Sequence, residues 1–186
     1  MDIKSKLRKM LLKEGDNKRN KYGCVMIYLD VDKDDWKKFQ DEIDEKDLYL
    51  PKGEEGFFGR ENHPHATILF GLHNDIPDED IETEIKKIKN PKLKLGKVST
   101  FTNDKFEVLK FDIVSDDLHK LNKKFSEFPH TTDFPDYHPH CTIAYVNKGS
   151  GEKYIKKLNE VDKFEVTTDK IVYSRANGKK SDYKLK

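Results

Sequence analysis

The stretch His63-Pro64-His65-Ala66-Thr67-Ile68 returns further along the chain as His138-Pro139-His140-Cys141-Thr142-Ile143. Side chains on an extended strand alternate between faces, so His65 and Thr67 share one face while Ala66 turns to the other. His140, Thr142 and Cys141 repeat the arrangement. Two such strands, related by an internal pseudo-twofold, offer two imidazoles and two hydroxyls to a common site. Pro64 and Pro139 withhold a backbone donor just before each histidine, which marks a strand start or an edge.

Cleavage of a phosphodiester needs a base for the nucleophile, an acid for the departing oxygen, and donors for charge on the non-bridging oxygens. Histidine fills either proton role because it titrates near neutral pH. A threonine two residues along the same strand reaches the phosphate that its imidazole flanks. One strand histidine alone is more often an ordinary polar residue, but a repeat of His, Pro, His, Thr and Ile in register is hard to reach by coincidence. The candidate catalytic residues are therefore His65, Thr67, His140 and Thr142. Metal binding is the rival reading, since His63 with His65 and His138 with His140 form same-face pairs. No acidic or cysteine ligand accompanies those pairs, and both threonines would lack a role, so neither metal nor cofactor is expected. His63 and His138 read as flanking residues.

The 186 residues suffice for one substantial domain, or for two halves sharing a core. Basic and acidic side chains nearly balance at 36 and 35, and a net charge of +1 does not advertise a polyanion binder, so a small nucleotide suits the chain better than a duplex. The sequence is 38% charged and 34% hydrophobic, which leaves a modest core. No apolar run approaches the roughly 20 residues of a membrane span, and no secretory signal core is apparent. Cys24 and Cys141 have no zinc spacing, which fits reduced thiols in an intracellular protein.

Outward from the motifs, residues 1–20 are expected to form a basic amphipathic helix and connector, with Ile3, Leu7, Met10 and Leu11 on one face. Residues 21–186 then form a single bilobal domain. Tyr22 to Val31 predicts a central strand, and Trp36, Phe39 and Ile43 predict a covering helix. Glycines at 53, 56 and 59 make a flexible approach to the first motif, in which Phe57, Phe58 and Arg60 could form a lid. Ile81, Ile85 and Ile88 predict a helix, residues 92–102 and 105–114 a hairpin, and Leu118, Leu121 and Phe125 a second helical stripe. A helix near 152–158 and strands near 164–175 and 182–185 complete an α+β chain with antiparallel sheets and a cleft between the lobes.

Paired His-x-Thr motifs in two similar halves resemble the 2H phosphoesterase superfamily. The run Thr67-Ile68-Leu69-Phe70-Gly71 matches its habit of following the first motif with apolar residues and a glycine. Tyr22-Gly23-Cys24-Val25-Met26, and the segment His130 to Tyr137 before the second motif, look most like the phage anti-CBASS nucleases, from about Tyr22 to Tyr173. The resemblance implies a bilobal 2H fold with two pseudo-symmetric lobes, flanking helices and a central cleft. It also implies a metal-independent hydrolase that opens cyclic di- or trinucleotide immune signals such as 3'3'-cGAMP in the cytoplasm of an infected bacterial host. Catalysis would rest on His65, Thr67, His140 and Thr142, with Tyr22, Phe101 and Tyr137 as candidates for stacking on the bases. No duplex nucleic acid and no membrane partner are expected. Two alternatives stay open: an RNA-end enzyme acting on 2',3'-cyclic phosphates or 2'-5' linkages with the same four residues, and a sponge that binds nucleotide without turnover.

Overall fold

The computed structural model describes residues 22–53, 58–132 and 136–185; the expected helix of residues 1–20 lies outside them. Two antiparallel sheets form the scaffold. Sheet A has the order β2-β1-β6-β7, built from β1 (Gly23–Asp30), β2 (His65–Leu72), β6 (Thr167–Ser174) and β7 (Lys180–Lys184). Sheet B has the order β3-β4-β5, built from β3 (Lys94–Thr102), β4 (Phe106–Val114) and β5 (His140–Asn147). The expected hairpin is β3-β4. The two motif strands are thus edge strands, one in each sheet, and they pack side by side.

Both start at the catalytic candidate, as the prolines imply. The Pro64 carbonyl accepts from Leu29 N–H at 2.9 Å, and the Pro139 carbonyl accepts from Ile113 N–H at 2.9 Å, so each proline still closes the ladder through its oxygen. Strict alternation then fails at equivalent places. Val25 pairs with Leu69 and Met26 with Thr67, while Leu109 pairs with Ala144 and Lys110 with Thr142, leaving Ile68 and Ile143 as extra residues. A bulge reverses the facing of every later residue in its strand. Buried neighbours Ile68 and Leu69, and Ile143 and Ala144, are the result.

Four helices among the described residues cover the sheets: α1 (Lys33–Asp41), α2 (Asp78–Lys86), α3 (Asp116–Phe125) and α4 (Gly151–Glu160). Asp32 caps α1 by accepting from the N–H groups of Asp34 and Asp35, and Ser115 caps α3 by accepting from Leu118 N–H. The covering is crossed. Helix α1 leaves strand β1 of sheet A, yet its Phe39 ring lies 5.0 Å from Phe111 of sheet B and it packs on β5. Helix α3 leaves strand β4 of sheet B and packs on β2 of sheet A. Each helix also carries one amide to the bulge it covers. Asn122 Nδ2 donates to the Ile68 carbonyl at 2.8 Å, and Gln40 Nε2 donates to the Ile143 carbonyl at 3.3 Å and to the Glu61 carbonyl at 2.7 Å. One apolar cluster runs through both sheets and all four helices, with Ile27, Ile68, Phe111, Ile143, Phe39, Ile81, Leu118 and Leu158 buried in it.

The glycine after the first motif is required by a close approach. Gly71 adopts φ +104°, and a Cβ there would lie 2.0 Å from the Thr131 carbonyl oxygen. That closeness serves a strap, since Thr131 N–H donates to Gly71 O at 2.9 Å along the outer edge of β2. The outer edge of β5 is covered likewise by Tyr49, Gly59 and Glu61. The lid expected around Phe58 and Arg60 is instead anchored. Arg60 donates to the carbonyls of Gln40 and Ile43 near the end of α1, and Phe58 packs among Tyr49, Phe106 and Tyr145. Phe57 lies outside the described residues.

Removing the Asn122 amide orphans a partly buried carbonyl, which costs about 1 to 3 kcal/mol. Asn122→Ala should therefore lose that much stability in urea unfolding with an unchanged m-value. Gln40→Ala should lose less, because Ile143 O keeps Glu61 N–H at 3.0 Å and Glu61 O keeps Trp36 Nε1 at 2.9 Å.

Candidate active site

The first three residues of each motif strand alternate as the sequence predicts. Ala66 and Cys141 are fully buried, while His65, Thr67, His140 and Thr142 are half-buried on the opposite face. The bulges then return Phe70 and Tyr145 to that same half-buried pattern. The two strands meet through backbone and side chain. The Cys141 thiol donates to the Thr142 carbonyl at 3.8 Å, and burial pushes it up to about 12, so it stays neutral. Tyr137 OH donates to the Thr67 carbonyl at 2.8 Å, and burial raises the hydroxyl far above its ordinary range.

The flanking histidines have a backbone role. His65 Nδ1 lies 2.8 Å from the His63 carbonyl, and His140 Nδ1 lies 2.8 Å from the His138 carbonyl. A carbonyl oxygen only accepts, so each Nδ1 carries a proton and each Nε2 remains for chemistry. The His-Pro-His spacing is thus a device for fixing tautomer and ring orientation. Among the described residues, no three His, Cys, Asp or Glu side chains gather as a metal ligand set.

Their surroundings differ. His65 stacks on Tyr28 at 5.5 Å, with Lys170 Nζ 5.4 Å from the Tyr28 ring centroid, and its Nδ1 is 4.0 Å from a Glu61 carboxylate oxygen. Burial and that Glu61 carboxylate push the Tyr28 hydroxyl up. His140 sits opposite Asp112, and Thr142 opposite Lys110, in the β4–β5 ladder. Phe101 meets His140 edge-on at 4.9 Å, and Lys110 Nζ stands 4.2 Å from the Phe101 centroid. Lys110 is only 4% exposed, donating to Ser99 Oγ at 2.7 Å and pairing with Asp112, which also accepts from Ser99 Oγ at 2.8 Å. Burial opposes the charge on Asp112, yet the Lys110 and Ser99 hydrogen bonds hold its carboxyl below the ordinary range. Burial lowers His140 to about 4, with the positive charge of Lys110 and the facing His65 adding to the effect against the His138 carbonyl and Asp112.

Of the three aromatic candidates, Phe101 lies against His140, and Tyr137 lies at Thr67 with its ring 5.4 Å from His119. Tyr22 stands at the far end of β2, edge-on to Phe70 at 6.4 Å and 5.9 Å from His73. Sequence reasoning missed Tyr28, Glu61, Ser99, Lys110 and Asp112. A lysine inside the apolar strand Phe106–Val114 was the available signal.

Residues 60–175 match the family of the anti-CBASS protein Acb1, a span that holds both motifs and exceeds half of the chain. The chain belongs to the Acb1 anti-CBASS family. The resemblance drawn from the motifs therefore stands, with the matched region beginning at Arg60 rather than near Tyr22. Among solved structures, Usb1 of Kluyveromyces marxianus is similar at a TM-score of 0.57 and 10% identity, covering 89% of this chain and 99% of that one. The structure of the same protein with uridine monophosphate gives 0.51 at 9% identity, covering 90% and 99%. These likenesses show a shared fold across nearly the whole chain. No curated protein sequence matches it. Among the described residues no helix is long and apolar enough to cross a membrane.

A histidine held neutral in the fold makes stability depend on pH. The unfolded chain takes up a proton near the ordinary 6.5, whereas the folded chain resists until about 4, so stability is intact above 6.5 and lost as pH falls through that window. Urea midpoints measured at pH 7 and pH 5 should fall further for the native protein than for His140→Gln, which lacks the titrating group.

Proposed function

We propose that the protein is a metal-independent phosphodiesterase that opens cyclic di- or trinucleotide immune signals and so counters CBASS defence. The observation that carries the reading is the pair of imidazoles at the starts of adjacent edge strands, each with Nδ1 held by a backbone carbonyl and Nε2 available. Membership of the anti-CBASS family supports the biological setting.

In this reading the scissile phosphate lies between His65 and His140. One Nε2 takes the proton of the adjacent 2'-hydroxyl, whose oxygen attacks phosphorus, and the other Nε2 protonates the departing oxygen. Thr67 and Thr142 hydrogen-bond the non-bridging oxygens as charge builds there. A 2',3'-cyclic phosphate results, which water resolves through the same two imidazoles with their roles reversed. Tyr22 is assigned to a base. Phe101, with Lys110 over its ring, acts on His140, and Tyr137 acts by holding the Thr67 backbone.

Chromatography of cyclic dinucleotides, cyclic trinucleotides and RNA ends after incubation with the protein tests the reading. Cleavage of a cyclic oligonucleotide should persist in excess EDTA, and loss with chelator that zinc or manganese restores would favour a metal mechanism. His65→Ala and His140→Ala should each reduce turnover by about 10²- to 10⁴-fold while remaining folded. Activity confined to 2',3'-cyclic RNA ends would replace the anti-defence assignment with the RNA-end reading, and tight binding without product would indicate a sponge.

Tyr22→Ala should lower kcat/KM for a cyclic dinucleotide by about 1 to 3 kcal/mol of stacking. The same variant should barely alter hydrolysis of a 2',3'-cyclic mononucleotide, a comparison made as kcat/KM ratios on both substrates.

A further inference from the structure

The two motifs are twins in sequence but sit in opposite electrostatic surroundings. His140 is faced from β4 by Lys110 and Asp112, from β3 by Ser99 and Phe101, and from β2 by His65. Lys110 is the buried member of this group, and its ammonium is fixed by Ser99, Asp112 and the Phe101 face. His65 is faced by Glu61 just ahead of its own strand, by Tyr28 from β1 with Lys170 of β6 beyond that ring, and by His140 from β5. The charge nearest the His65 ring nitrogens is therefore a carboxylate, 4.0 Å away. On the β5 side, a buried cation stands opposite Thr142 and against the ring that touches His140.

We propose that Lys110 is a positioning residue that divides the labour between the two imidazoles, making His140 the general base and leaving His65, beside Glu61, as the general acid. The inference rests on the phosphodiesterase reading. A fixed cation disfavours a second positive charge on its neighbour, whereas a carboxylate favours one. His140 then offers an Nε2 lone pair. The 2'-hydroxyl proton passes to that nitrogen as the O2'–P bond forms. The P–O5' bond breaks, and the proton on His65 Nε2 passes to O5', which leaves as a hydroxyl. Asp112 tempers the Lys110 cation and keeps it in place.

Two measurements separate this assignment from the function it rests on. In the free protein, titration of the His140 ring resonances by NMR needs no substrate. Lys110→Met should move the His140 midpoint up toward the ordinary imidazole value near 6.5, and Asp112→Asn should move it down. Opposite signs are what a local charge effect gives and a loosened fold does not. Unmoved midpoints in both variants overturn the role of Lys110. The second measurement uses a dinucleoside phosphate whose bridging 5' oxygen is replaced by sulfur, a leaving group that departs without a proton. His65→Ala should regain activity on the sulfur substrate relative to the oxygen one, while His140→Ala should remain inactive on both. Rescue of His140→Ala instead reverses the assignment. Failure of the native enzyme to cleave either dinucleoside phosphate, with the NMR shifts as expected, would count against the substrate reading and leave the electrostatic role of Lys110 standing.

Discussion

The bulges at Ile68 and Ile143 set a requirement that the rest of the molecule is arranged to meet. Each throws a main-chain oxygen out of its ladder beside the core, where an unpaired carbonyl is costly. Asn122 answers it at Ile68, while at Ile143 the Glu61 N–H answers it and Gln40 adds a longer bond; both amides come from the helix that follows a strand of the opposite sheet. Those two amides therefore dock α3 over β2 and α1 over β5. Because the bulges also keep Phe70 and Tyr145 in the half-buried set with the motif histidines and threonines, one local irregularity shapes both the back and the front of each strand.

Pseudo-symmetry governs the backbone more strictly than the side chains. Proline carbonyl, imidazole tether, bulge and crossed amide recur in both halves at corresponding places. The neighbours of the two imidazoles do not recur. Tyr28 occupies in sheet A the ladder position that Asp112 occupies in sheet B, and the buried ammonium of Lys110 has no buried counterpart near His65 among the described residues. The proposed acid–base reading calls for this combination, two imidazoles in equivalent backbone positions with different neighbours.

The shared facing of the motif residues was legible in the sequence because it lies on two short strands whose first three residues keep an unambiguous period. His65, Thr67, His140 and Thr142 share the expected kind of surface, and the helices marked by Trp36 and Phe39, by Ile81 and Ile85, and by Leu118 and Phe125 all form. What pattern could not reveal was contact across the chain. Lys110 acquires meaning only once β3, β4 and β5 pair and bring Ser99, Phe101 and Thr142 around it. The glycine-rich approach looked loose by composition, yet Arg60 and Phe58 are held by the end of α1 and by an aromatic cluster that no local window contains. The bulges were likewise invisible in the sequence, and the inserted Ile68 is the reason that the neighbours Ile68 and Leu69 are both buried.

The crossed helices carry an implication for how the chain came to be inseparable. In topological terms they are a domain swap completed within one molecule: each half lends its helix to the other and receives one in return. Each sheet takes one of its covering helices from the far side of the fold, so a fragment ending before Asp116 would leave the bulged strand β2 without the helix that covers it. Folding must bring distant segments together before either lobe is complete, a non-local order of events that makes for slow, concerted assembly.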